Sequence, residues 1–176
     1  MKRSFTAITL LNLRRRLACI MFFFLLLLTC RAQDELATVM IKNLHGTSLS
    51  FSSITQKDSL VLICFWSTAS DPSISEISAI NAVYEQWTAK VKFRIMAVSA
   101  DEGKAVSKVR PTNNMNGWTL DVYLDANGDL RRALHANNLP ESLILKRGKV
   151  VYQQSGYESG SENYLFQKIQ LLASGH

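Results

Sequence analysis

Four kinds of side chain in this sequence could do chemistry: a cysteine in an apolar run (Cys64), two serines at i, i+3 spacing (Ser70 and Ser73), a carboxylate one turn further on (Glu76), and three histidines, His45, His135 and His176. Of the three cysteines, Cys19 and Cys30 lie near the N-terminus, which leaves Cys64 alone in the rest of the chain. One cysteine can form neither an internal disulfide nor a Cys-x-x-Cys site. Its setting, Val61-Leu62-Ile63-Cys64-Phe65-Trp66, reads as a buried strand in which the thiol is a small hydrophobe. A hydrolytic serine needs a base in hydrogen-bond reach and an oxyanion hole. Only His135, five residues before Pro140, is placed to approach, and it reads as a surface helix residue. No metal and no cofactor are expected.

The elements that must position these residues follow from patterning. Thr38 to Lys42 is a short apolar run closed by a turn at His45-Gly46, and Val61 to Trp66 is a strand buried on both faces. Ser70-Asp71-Pro72 then reads as a helix start, with Ser70 as N-cap and Pro in the first turn. Ile74, Ile77, Ile80, Val83, Tyr84 and Trp87 recur at three-and-four spacing and carry this helix to about Ala89. Val91 to Ser99 reads as a second buried strand. Lys104 to Val109 predicts a short helix stopped by Pro111, Trp118 to Leu124 a third strand with a turn at Asp125–Gly128, and Leu130 to Ala136 another short helix. Leu143–Leu145 and Val150–Tyr152 predict a hairpin joined by Lys146–Lys149, and Asn163 to Ala173 a closing helix. A βαβ unit followed by a ββα unit makes an α/β domain: a mixed β-sheet with helices on both faces.

Charge excludes one class of partner. Residues 1–32 hold six of the 20 Lys and Arg and none of the 14 Asp and Glu, so the remaining body carries 14 of each and no net charge. A nucleic-acid binder needs excess basic side chains on the folded body. The basic N-terminus precedes an apolar run from Leu17 to Leu28 and small residues at Cys30-Arg31-Ala32, the pattern of a cleaved signal peptide over 1–32. An uncleaved membrane anchor and lipidation at Cys30 are the alternatives, and all three put the domain, residues 33–176, outside the cytoplasm: periplasmic, or membrane-tethered and facing the periplasm.

The stretch "LVLICFWSTASDPSISEI" resembles the active-site segment of TlpA-like thioredoxin-fold (redoxin) proteins, exported thiol–disulfide oxidoreductases. In that family a strand ending Phe-Trp leads to Cys-x-Pro-Cys and a helix with a Glu three residues later. Aligned through Phe65-Trp66, the two cysteine positions fall on Ser70 and Ser73, the proline is Pro72, and the helix carboxylate is Glu76. The family's Trp before the first Cys is Ala69 here. Further anchors are Gly46 with Ser48-Leu49-Ser50, Val98-Ser99-Ala100-Asp101, Leu120–Gly128, and Leu139-Pro140 before Leu143-Ile144-Leu145, the last similar to the family's cis-Pro loop.

The resemblance implies a thioredoxin-like fold whose redox thiols are absent. A serine hydroxyl cannot replace them: a helix N-terminus contributes about 1 kcal/mol, under one pKa unit, and serine forms no disulfide. The expectation is a redox-inactive module that binds an unidentified peptide or partner protein in a vestigial groove lined by Trp66, Ser70, Asp71, Ser73, Glu76, Leu139 and Pro140, with no catalytic residue. In this reading Glu76, with no thiol to tune, is a helix-surface or groove carboxylate. The alternative is an oxidoreductase using an unrecognised or partner thiol; a third possibility is a structural domain without a ligand.

Overall fold

A computed structural model describes Leu36, 38–55 and 60–175. The expected signal segment 1–32, with Cys19 and Cys30, and His176 lie outside the described residues. Among the described residues the strands and α-helices follow in the order β1 (Met40–Asn43), β2 (Ser48–Ser50), α1 (Phe51–Thr55), β3 (Leu60–Trp66), α2 (Asp71–Lys90), β4 (Arg94–Ser99), α3 (Val106–Asn116), β5 (Asp121–Leu124), α4 (Asp129–Ala133), β6 (Glu141–Lys146), β7 (Lys149–Ser155) and α5 (Glu162–Ala173). They form one sheet in the order β2-β1-β5-β4-β3-β6-β7. β3 pairs with β4, and β4 with β5, in parallel; β6 runs antiparallel to β3.

β3 is buried at every position because side chains on both of its faces enter a core. Leu62, Cys64 and Trp66 join Ile77, Ile80 and Trp87 of α2, Val109 of α3, and Leu165 and Ile169 of α5. The alternate residues Val61, Ile63 and Phe65 meet Phe51 of α1 and Leu130 of α4. The period-two split of one apolar run therefore builds two cores, with helices on both faces of the sheet. This is the α/β, mixed-sheet thioredoxin-like architecture expected from the sequence.

Local differences have local causes. Pro111 does not stop a helix but lies inside α3. It stands on an exposed position, where the carbonyl that it leaves unpaired can turn to water. The helix ends instead at Gly117, in the left-handed conformation at φ 61°. The short polar strand β2 and the five-residue α1 carry no readable period; β2 exists because Ile41 and Leu49 are brought into register by the turn at Asn43. The hairpin is longer than expected and its loop shorter: Arg147 and Gly148 alone turn the chain, at φ 52° and 76°. Among the described residues no helix is long and apolar enough to cross a membrane.

Candidate functional site

The site grows from the end of β3. After Trp66 the chain leaves the sheet through Ser67, Thr68 and Ala69, and this loop is fastened to the buried carboxylate of Asp101, just past the neighbouring β4. Ser67 Oγ donates to Asp101 Oδ1 at 2.9 Å, Thr68 Oγ1 to the same oxygen at 2.9 Å, and the Thr68 N–H to Oδ2 at 3.0 Å. Ser99 Oγ donates to Oδ2 at 2.8 Å. A carboxylate accepting several charge-assisted hydrogen bonds is a strong local clamp. Its sequence signal was the Val98-Ser99-Ala100-Asp101 segment at the end of a buried strand.

Ser70 follows, extended at φ −119° and ψ 102°, as the N-cap of α2. Its Oγ accepts a long bond from the Ser73 N–H, 3.4 Å, and a shorter one from Ser73 Oγ, 2.9 Å. The two hydroxyls are thus each other's partners at the start of the helix. Ser70 is half-buried and Ser73 buried, while Asp71 and Pro72 are exposed.

Glu76 corrects the sequence reading. It is 1 % exposed, set inward beside Ile77 rather than on the helix surface. Ser142 Oγ donates to its Oε1 at 3.0 Å, and Oε2 has no hydrogen-bond partner among the described residues. Burial, more than any neighbour, pushes its pKa up to about 7; Ser142 pulls the other way and Glu162 adds to the rise. Ser142 stands opposite Cys64 in the β3–β6 ladder, so thiol, hydroxyl and carboxyl share one buried cluster. Desolvation, followed by the charge of Glu76, raises the Cys64 pKa well above its ordinary value, the opposite of an activated thiol.

Trp66, expected to line the groove, is also a core residue. It is fully buried, crosses Trp118 edge to face at 4.8 Å and 84°, and leaves Nε1 without a hydrogen-bond partner. The reason is its place as the last residue of a strand covered on both faces.

The second wall comes from the loop before β6. The Leu139–Pro140 bond is cis. Gly156 N–H donates to the Pro140 carbonyl at 2.9 Å. The buried Glu141 holds the loop from inside: its Oε2 accepts from Asn138 N–H at 3.1 Å, and its Oε1 from Ser155 Oγ at 2.9 Å and from Gln153 Nε2. Leu139 is half-buried against the second core, and its backbone N–H and carbonyl have no partner among the described residues. The Glu76–Ser142 bond ties this wall to α2. Tyr157 borders the same region and donates from its hydroxyl to Glu162 Oε2 at 3.2 Å.

The structure therefore gathers Ser70, Asp71 and Ser73 at one helix start, with the Leu139–Pro140 loop tied to the same helix. No hydrogen bond joins His45 or His135 to either serine among the described residues; His135 is exposed at φ 55° in the turn after α4 rather than in a helix. Nor does any group of three or more His, Cys, Asp or Glu among the described residues have metal-ligand geometry. Sequence reasoning missed Glu141, Ser142 and Tyr157.

Residues 32–156 match the AhpC/TSA family. An uncharacterized thioredoxin-like protein from Porphyromonas gingivalis superposes with a TM-score of 0.68 at 36% identity, covering 78% of this chain and 92% of that one. A protein assigned as thiol:disulfide interchange protein DsbE of Chlorobium tepidum gives 0.65 at 22% identity, covering 78% and 93%. StoA from Bacillus subtilis gives 0.59 at 18% identity, covering 73% and 95%. No curated protein matches the chain.

Proposed function

We propose that this chain, which belongs to the AhpC/TSA family, is a member without thiol–disulfide exchange that acts outside the cytoplasm and holds an extended peptide or partner segment. The segment lies between the start of α2 and the Leu139–Pro140 loop.

The observation that carries this reading is the hydroxyl pair, Ser73 Oγ to Ser70 Oγ at 2.9 Å, at a helix N-terminus. Disulfide exchange and peroxide reduction both begin with a thiolate. Here the position holds two alcohols, and Cys64 is sealed in the core with its pKa raised. What survives is a surface suited to pairing. The unpartnered N–H and carbonyl of Leu139 offer one strand-like step to an incoming backbone, the contact that β-augmentation uses. The basic, apolar segment before Ala32 supports export or tethering.

The test places a thiol where Ser70 stands. In full-length chain carrying Cys19→Ser and Cys30→Ser, a Ser70→Cys variant is reacted with short peptides whose cysteine is disulfide-bonded to thionitrobenzoate. The introduced thiolate attacks the peptide sulfur, the old S–S bond breaks, and coloured thionitrobenzoate leaves. If the groove pairs with backbone, N-methylation of the residue facing Leu139 slows capture about fivefold, one hydrogen bond's worth. Equal rates for the methylated and parent peptides would remove the binding claim.

A further inference from the structure

The end of the sheet away from Ser70 is made from the opposite ends of the same elements: the last turn of α2, the start of β3, the β6–β7 turn and the last turn of α5. They surround an open cavity of about 750 Å³. Its lining includes Lys90, Lys92, Lys146 and Arg147 and no acidic residue among those described. Leu60, Val91 and Leu172 add apolar surface.

None of the four cations forms an ion pair among the described residues; the pairs there are Arg94–Asp121, Arg131–Glu102 and Arg132–Asp129. Lys146 Nζ donates to the Leu172 carbonyl at 2.7 Å, which fixes one ammonium group against α5. Lys149 faces Lys146 across the hairpin and extends the positive field. The two helix C-termini contribute roughly half a negative charge each, too little to balance four cations. Arg147 also occupies a turn position at φ 52°, where Asn or Gly fits better and a long side chain is disfavoured. Like charges gathered without counter-charges among the described residues are relieved by an anion.

We propose that this cavity binds a ligand bearing a phosphate or pyrophosphate group on a body with apolar surface. The guanidinium of Arg147 presents a planar fork that matches two phosphate oxygens, and Lys90, Lys92 and Lys146 add point charges. Leu60, Val91 and Leu172 take the apolar part. The phosphate belongs either to a free small molecule or to an anionic phospholipid headgroup.

Two probes separate these sources. Full-length chain is titrated with inorganic pyrophosphate, and separately mixed with vesicles of phosphatidylglycerol or of phosphatidylcholine. Each experiment is repeated with a Lys92→Gln/Arg147→Gln variant and with Lys90→Gln, all at exposed positions. Pyrophosphate binding that weakens about tenfold or more in the double variant, and weakens with ionic strength, assigns a soluble phosphate ligand. A preference for phosphatidylglycerol that the double variant loses, without pyrophosphate binding, assigns the headgroup; any insertion of the N-terminal apolar run is common to both proteins and cancels. If neither probe distinguishes native chain from the double variant, the proposal is overturned. Polyglutamate bound more tightly than either probe also overturns it, in favour of an acidic peptide.

Discussion

The two ends of the central sheet use charge in opposite ways. At the Ser70 end, polar side chains are tied to one another and to backbone: Asp101 to Ser67, Thr68 and Ser99, Glu141 to Ser155 and the Asn138 N–H, Ser73 to Ser70. At the Lys92 end, four cations stand around an open cavity with no carboxylate among its described lining residues. A body with no net charge has therefore been sorted into a hydroxyl- and carboxylate-rich end and a basic end. The lesson is that net charge describes neither. In the reading proposed above, the bonded end is a scaffold without redox chemistry, and the basic end offers its cations to a ligand.

The bonded end breaks most readily at Asp101. Replacing this buried carboxylate by Ala leaves the Ser67, Thr68 and Ser99 donors without an acceptor, and is expected to cost about 3 kcal/mol in urea unfolding. A loss under about 0.5 kcal/mol would mean that the loop is held by something else.

Glu76 sharpens the comparison through pH. Its folded pKa, about 7, lies above the ordinary 4.5. The native state therefore keeps a proton that the unfolded chain releases, so the contribution of Glu76 to stability is greatest below about pH 4.5 and is lost as pH rises through about 7. The expected fall is about 3 kcal/mol, and Glu76→Gln flattens it. An unchanged pH profile in Glu76→Gln would assign the fall to other groups.

At the basic end the expected effect is smaller and of opposite sign. Arg147→Gly relieves the left-handed turn and is expected to raise stability by about 0.5–1 kcal/mol. A loss of stability instead would show that Arg147 holds the hairpin for the fold rather than for a ligand.

These contrasts mark what the sequence disclosed. The all-buried β3, the Ser70 cap and the spacing of α2 were legible because each is a local pattern within one element. The mixed sheet followed from the order of such elements. Glu76 was misread because its partner, Ser142, reaches it only through the antiparallel register of β3 and β6. Trp66, a groove or core aromatic by sequence, is a core residue because helices cover both faces of its strand. The basic cavity was invisible for the same reason as the cluster under Glu76: Lys90 and Lys92 meet Lys146 and Arg147 only after β6 carries the hairpin turn back to the start of β3. An even balance of charges over residues 33–176 concealed their separation in space.

The central claim, an intact scaffold without its thiols, is tested most directly by insulin-disulfide reduction in dithiothreitol. Native full-length chain is measured beside a Ser70→Cys/Ser73→Cys variant, both carrying Cys19→Ser and Cys30→Ser. The account predicts that the native site adds nothing to the dithiothreitol background and that the variant accelerates reduction. Catalysis by the native chain above that background would contradict it and make the buried Cys64 the residue to explain.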